Sequence, residues 1–326
     1  MSRSSSSFIS RFIHYKKESG RFYMKTSFIQ FLLIFSVLSL LFFPQTSVQG
    51  AKNGLILWSA TITPTLLPFL LLTGFMQYYQ TFHLISRLFY PLKKLFPGIN
   101  EDFFYTCILG FFCGCPLGAK IIDDFISCGS FTKSEGEKLL YACNQISPMF
   151  TAGYTLTLIL HGKISALRFF FCLYFPVLCY LIYLIFLFFT SDFLHTHHSS
   201  SFITHKKSAD QVIFDSLHSI FMIGICIMIF SIAVSLLEIL PLPFHLKRGL
   251  TAVLEITNAI SHFGSSHISI GRKVILLCMI TSFGGLSAAV QTLSVYKKSR
   301  LSIGKYLLIK SLFSVSSGLL AYLVFI

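Results

Sequence analysis

The sequence predicts an all-α, polytopic membrane protein whose two halves each carry broken or re-entrant helices. Three observations lead there. Hydrophobic residues make up 54% of the chain and charged residues 12%, with a mean hydropathy of +0.73. Soluble domains average about 25% charged residues, so this chain cannot cover an ordinary water-facing surface. Uncharged stretches recur at 139–162, 169–189, 216–237 and 274–296, each longer than the ~18 apolar residues that suggest a membrane helix. Finally, hydrophobic segments in both halves are interrupted by glycine at corresponding places. Lipid offers backbone amides no water, so helices that satisfy their own amides are the economical structure. A barrel would show alternating segments of about ten residues, and these runs do not alternate.

The elements follow in order. Residues 1–27 form a serine-rich tail with Arg3, Arg11, Lys16, Lys17, Arg21 and Lys25 against Glu18, which the positive-inside rule keeps in the cytoplasm. A first transmembrane half occupies 28–190. It opens with a short span at 28–43, read as an uncleaved anchor, and continues with an apolar segment at 53–79 that Pro64 and Pro68 should bend. Residues 82–96 mix apolar positions with Arg87, Lys93 and Lys94, as a helix lying in the membrane interface does. Ser134 and Glu137 stand at capping-box spacing and should open the helix of 133–150. A full span near 166–190 closes this half. Residues 191–210 are a polar linker containing His195, His197, His198 and His205. It reads as a solvated loop, because no carboxylate or cysteine framework accompanies the histidines. The second half is 211–326. The expected total is about seven or eight membrane segments, re-entrant ones included.

Composition also excludes function classes. The net charge of +14 does not signal nucleic acid, since the aromatics lie inside apolar runs and the basic residues between them, as in Lys297, Lys298 and Arg300. The nine cysteines show no CxxC pair. Cys113 and Cys115 read as small core hydrophobes, and neither metal nor cofactor is expected. No GxSxG, HExxH or paired-carboxylate pattern appears, so the chain is not expected to be an enzyme.

The interrupted segments carry the functional signal. "CILGFFCGCPLGAK" begins at Cys107 and "CMITSFGGLSAAVQ" at Cys278. In that register Gly114 falls on Gly285 and Lys120 on Gln291, and paired leucines follow both segments, Leu139/Leu140 and Leu307/Leu308. Glycine-interrupted segments at matching places in two halves point to a repeat-built transporter. GCPLGAK is not a P-loop, since Ala119 separates Gly118 from Lys120 and Ile121 replaces the serine or threonine. Gly114, Pro116 and Gly118 instead predict a helix break or re-entrant hairpin. The free amides of a half-helix N-terminus attract anions, and Lys120 would add a full charge. The competing reading is that Lys120, Asp123 and Asp124 mark the aqueous end of a span. Further polar groups stand in apolar surroundings: Asn144, Gln145 and Ser147, then Glu255, Thr257 and Asn258, then Ser282, Gly284, Gly285, Ser287 and Gln291. Such groups either stitch helices together, at about 0.6 kcal/mol each, or assemble a site. Glu137 is a candidate too, with helix capping as its rival role.

At these residues the chain resembles the bacterial sporulation integral membrane proteins of the YlbJ type, within the wider group carrying nucleoside-recognition, or gate, domains. The resemblance rests on "GCPLGAK", "EGEKLLYACNQISPMF", "LEITNAIS" and "SFGGLSAAVQ", which occur in the family's order between about Leu66 and the C-terminus. The basic N-terminus and the histidine linker have no counterpart in the pattern. The resemblance implies two gate-domain-like repeats and transport of a small organic anion, dipicolinic acid, across the outer forespore membrane during sporulation. The alternatives are a non-transporting interaction or assembly protein of spore maturation, or a nucleoside-type carrier. The expected partners are the lipid bilayer and a small anionic solute, without nucleic acid, and the sequence leaves the oligomeric state open. The expected solute site comprises Gly114, Pro116, Gly118, Lys120, Glu137, Asn144, Glu255, Thr257, Asn258, Ser282, Gly284, Gly285 and Gln291, with Glu137 and Glu255 as candidate carriers of a coupling proton.

Overall fold

A computed structural model describes residues 30, 34, 37–79, 81, 101–127, 129–190, 208–296 and 302–326. The basic tail, the interfacial helix expected at 82–96, most of the histidine linker and the cluster Lys297, Lys298 and Arg300 lie outside the described residues. The chain divides into a unit of Met1–Gln49 and a unit of Gly50–Ile326. In the first, residues 37–42 are helical and α1 (Pro44–Ile56) begins.

The described residues are helical and irregular throughout, without strands. After α1 the chain passes through a π-helical turn, Leu57–Ile62, into α2 (Thr63–Tyr78). The two prolines account for this irregularity. Neither Pro64 nor Pro68 has a backbone N–H to donate, and nearby the Thr65 hydroxyl donates to the carbonyls of Thr61 (3.0 Å) and Ile62 (2.9 Å). Then come α3 (Glu101–Cys113), α4 (Leu117–Ser127), α5 (Lys133–Cys143) and α6 (Pro148–Phe150), which runs on as a π-helix over Thr151–Ile159. α7 (Ala166–Thr190) and α8 (Ala209–Ile239) are long and apolar. α9 (Phe244–Leu254), α10 (Ile256–Gly264), α11 (Ile270–Phe283), α12 (Gly285–Val295) and α13 (Ile303–Phe325) complete the chain.

Among the described residues, five helical stretches are long and apolar enough to cross a membrane: Pro44–Met76, Ala166–Phe188, Ala209–Ile239, Ile270–Val295 and Ile303–Phe325. Large apolar side chains such as Leu167 and Phe186 on α7 and Leu323 on α13 stay exposed, a surface suited to lipid rather than water. The chain is a multi-pass membrane protein by this composition. Its all-helical, membrane-spanning class agrees with the expectation from the sequence.

One local expectation is corrected. The capping box of α5 is Thr132 with Glu135, not Ser134 with Glu137. The Glu135 amide donates to the Thr132 hydroxyl (3.2 Å), and the Thr132 amide donates to Glu135 Oε2 (2.6 Å). The helix starts at Lys133, and its cap stands two residues earlier than expected, where Thr132 adopts the extended backbone an N-cap needs.

The core of the second unit has two main clusters. One gathers Ile62, Leu66, Phe150, Tyr154, Phe169, Ile223 and Leu277; the other gathers Phe103, Phe131, Leu139, Leu184, Tyr306 and Phe313. Close helix approaches are made at glycine. A Cβ on Gly224 would stand 2.6 Å from the Trp58 ring, whose Nε1 donates to the Ile220 carbonyl at 2.9 Å.

Candidate functional site

Four helix interruptions meet around one cavity in the second unit. The first lies between α3 and α4. Gly114 has a φ of +64° and the Cys115–Pro116 bond is cis. A Cβ on Gly114 would come within 2.7 Å of the Ser147 amide nitrogen, so only glycine fits both the backbone conformation and the space. The second interruption, 144–147, separates α5 from α6. The Cys115 amide donates across to the Gln145 carbonyl at 2.7 Å, which ties these two breaks together.

The third interruption is Glu255 alone, in extended conformation between α9 and α10. It serves as the N-cap of α10, its Oε2 accepting the Asn258 amide at 2.7 Å. The fourth is Gly284, left-handed between α11 and α12 with a φ of +81°. Next to it, a Cβ on Gly285 would sit 3.3 Å from both the Leu254 carbonyl oxygen and the Ile256 amide nitrogen. The third and fourth breaks therefore also lie against each other.

About 680 Å³ of empty space, open solvent included, lies in the cavity between these breaks. Every interruption contributes to its wall or flanks it: Cys115, Pro116 and Leu117 from the first, Ile146 and Ser147 from the second, Glu255, Ile256 and Thr257 from the third, and Ser287, Ala288 and Gln291 just after the fourth. Aliphatic and aromatic side chains from α2 and α8, including Leu66, Phe69, Ile223 and Ile227, close the remainder. The lining is mostly apolar with a few polar groups, which is the usual composition of a small-molecule site. Among the described residues of the lining, Glu255 is the only carboxylate, and no lysine, arginine or histidine joins it.

The carbonyls of the second interruption are each met by a donor. Lys310 Nζ donates to the Asn144 carbonyl (2.9 Å) and to Gln145 Oε1 (2.7 Å). The Cys115 amide serves Gln145, the Tyr174 hydroxyl serves Ile146 at 2.9 Å, and the Thr151 amide serves Ser147 at 3.1 Å. The Asn144 amide group donates to Thr292 Oγ1 (2.7 Å) and to the Tyr306 hydroxyl (3.0 Å). Cys115 Sγ lies 3.5 Å from both the Ala288 carbonyl and Thr292 Oγ1. These contacts join the first two breaks to α12 and α13. Only 3% of Lys310 is exposed, and one of its acceptors is a carbonyl of the irregular backbone, the kind of partner that charge inside a membrane protein usually finds.

The expected site residues divide accordingly. Pro116, Glu255, Thr257 and Gln291 line the cavity, and Gly114, Gly284 and Gly285 shape the breaks around it. Asn144 and Asn258 stand behind the wall, Asn258 holding Glu255 through both its amide and its side chain. Gly118 is a packing position: its Cβ would stand 2.2 Å from the Cys143 carbonyl oxygen. Ser282 lies 3.3 Å from Ser317 Oγ and does not reach the cavity. Glu137 accepts the Tyr141 hydroxyl at 2.9 Å, one turn along α5, also away from the cavity. Lys120 is paired with Asp215 at 3.5 Å, both side chains partly exposed, and is not among the lining residues. Sequence reasoning missed Lys310, Thr292 and Tyr306. Lys310 had a usable signal, a lone cation in the apolar run 306–326.

One curated relative is a sporulation integral membrane protein of Bacillus subtilis (strain 168), YlbJ, 25% identical over 133 residues. The match covers 40% of this chain and 32% of that protein, so the chain spans about a third of the relative's length in alignment. No protein-family model matches the chain, and no solved structure matches it.

Proposed function

We propose that this protein is a membrane carrier whose cargo is a small organic anion of the dipicolinate kind, and that it acts during spore formation at the outer forespore membrane. The observation that carries the reading is the meeting of four helix interruptions around one mostly apolar cavity. Irregular backbone is stable at membrane depth only where protein buries it or a cavity reaches it, and interrupted helices near the midplane are where carriers hold their cargo.

Two features support an anionic aromatic cargo. The first turns of α4, α10 and α12, and of the helix that starts at Pro148, all border the cavity. Their dipoles raise the local potential. The apolar wall offers a flat ring a surface, while Ser147, Thr257, Ser287 and Gln291 offer hydrogen bonds. The name of the relative supports the sporulation setting. The pairing of the first break with the second, and of the third with the fourth, supports two gate-like halves, 28–190 and 211–326.

A second reading has its own observation. An acid and an amide without a lysine or arginine in the lining suit a neutral, hydrogen-bonding cargo such as a nucleoside. Vesicles containing only this protein, offered labelled dipicolinate and labelled nucleosides, separate the readings. Saturable dipicolinate uptake supports the first and saturable nucleoside uptake the second. Uptake of neither, with intact protein, leaves a non-transporting assembly protein.

A further inference from the structure

Within the carrier reading, on which this step rests, we infer that Glu255 is the proton-binding group of the cavity and that a proton crosses the membrane together with the solute. Glu255 is 1% exposed yet lines the cavity. Three hydrogen bonds converge on one oxygen: Oε2 accepts the Thr257 hydroxyl (2.5 Å), the Asn258 amide (2.7 Å) and Asn258 Nδ2 (2.9 Å). Oε1 takes none of these bonds. The carboxyl is thus held in a fixed orientation by one oxygen while the other remains available for a proton.

Among the described residues, no lysine, arginine or histidine is placed against the carboxyl. From the π-helix Thr151–Ile159 it faces Tyr154, and from α8 it faces Cys226, a phenol and a thiol that are neutral in the ordinary working range. α12 presents Ser287 and Gln291. On α9, Lys247 is turned to Glu238, and Arg248 stacks on Phe244 at 4.1 Å. The hydrogens of Thr257 and Asn258 point at Oε2, an arrangement that serves a carboxyl and would repel a metal ion there.

The chemistry then has a definite sign. An ionised Glu255 repels an anion at the cavity wall. Taking one proton on Oε1 removes that charge and turns the oxygen into an O–H donor, which can bond a carboxylate of the solute. Nothing else is consumed: the proton is bound with the solute and released with it, so the two travel in the same direction. Ser287, whose buried Oγ has no partner among the described residues, stands on the same wall as a further group for the solute.

The test uses the full chain in vesicles, with labelled dipicolinate and an imposed pH gradient. For one proton per solute, wild type should accumulate solute about tenfold per unit of pH gradient, on the side the protons move to. Glu255→Gln, which keeps the shape but cannot take up the proton, should lose the response to the gradient, whatever exchange it retains. A Glu255→Gln protein that keeps the tenfold response overturns the inference. If wild type moves no dipicolinate, the carrier reading fails separately, and infrared spectroscopy of the purified protein still decides on Glu255. A protonated carboxyl band near neutral pH that disappears in Glu255→Gln supports the assignment, and a wild-type spectrum without that band overturns it.

Discussion

At the break between α5 and α6 every backbone carbonyl has found a donor, several of them from distant helices. At the break between α9 and α10 a carboxyl has been placed with three donors on one oxygen and none of the three on the other. Both regions put an ionisable group where lipid penalises it. Lys310 spends its hydrogen bonds on Asn144 and Gln145 and stands outside the cavity lining, while Glu255 is part of that lining. The contrast separates two uses of buried charge. One holds an irregular backbone in place, and the other keeps chemical capacity next to a space a solute can occupy. A count of polar residues in apolar runs cannot tell them apart; the hydrogen-bond accounting does.

If the first pair of breaks is support, damaging it should cost stability. The largest effect is expected from Gly118→Ala. Its new methyl would meet the Cys143 carbonyl oxygen at 2.2 Å, and backbone cannot swing aside, so a loss of about 3 kcal/mol is expected. Thermal denaturation followed by size-exclusion chromatography would read it, and an unchanged melting point would show that the two breaks are packed more loosely. Lys310→Met should cost about 2 kcal/mol by the same measurement, because it strips the donor from Asn144 O and Gln145 Oε1. A more stable Lys310→Met protein would mean that the desolvation of the ammonium outweighs its bonds.

The second pair should behave differently. Glu255→Gln keeps an oxygen for the Thr257 and Asn258 donors, so its melting should stay within about 1 kcal/mol of wild type. A collapse of that variant would make Glu255 a structural residue like Lys310 and erase the contrast. Smallest of all is Lys120→Ala. Its ion pair with Asp215 is long and partly exposed, which is worth under about 1 kcal/mol, and solute uptake should be unchanged. Lost uptake in a stable Lys120→Ala protein would return that lysine to the site.

Much of this was legible in the sequence for identifiable reasons. Long uncharged runs specify membrane helices, and glycine or proline inside them specifies a break. Gly114, Pro116 and the Gly284–Gly285 pair are therefore readable without coordinates. Glu255, Thr257 and Gln291 were recognisable as polar residues that lipid would not tolerate unpaired. What the residues alone left open was direction around a helix axis. Lys120 and Ala119 are neighbours on α4, yet Ala119 is fully buried and Lys120 is half-exposed toward Asp215. Lys310 escaped notice because its partners, Asn144 and Gln145, are more than 160 positions away in the chain. The shift of the α5 cap to Thr132 has a local cause: two serine- or threonine-led boxes stand two residues apart, and only the backbone turn of 129–132 selects between them.

The central claim is that a solute occupies the space where the four interruptions meet. Uptake of labelled dipicolinate by vesicles containing wild type or Ala288→Phe tests it most directly, because Ala288 lines the cavity and a phenyl ring there would fill it. The account predicts saturable uptake by wild type and none by an equally abundant, folded Ala288→Phe protein. Equal uptake by both would contradict it.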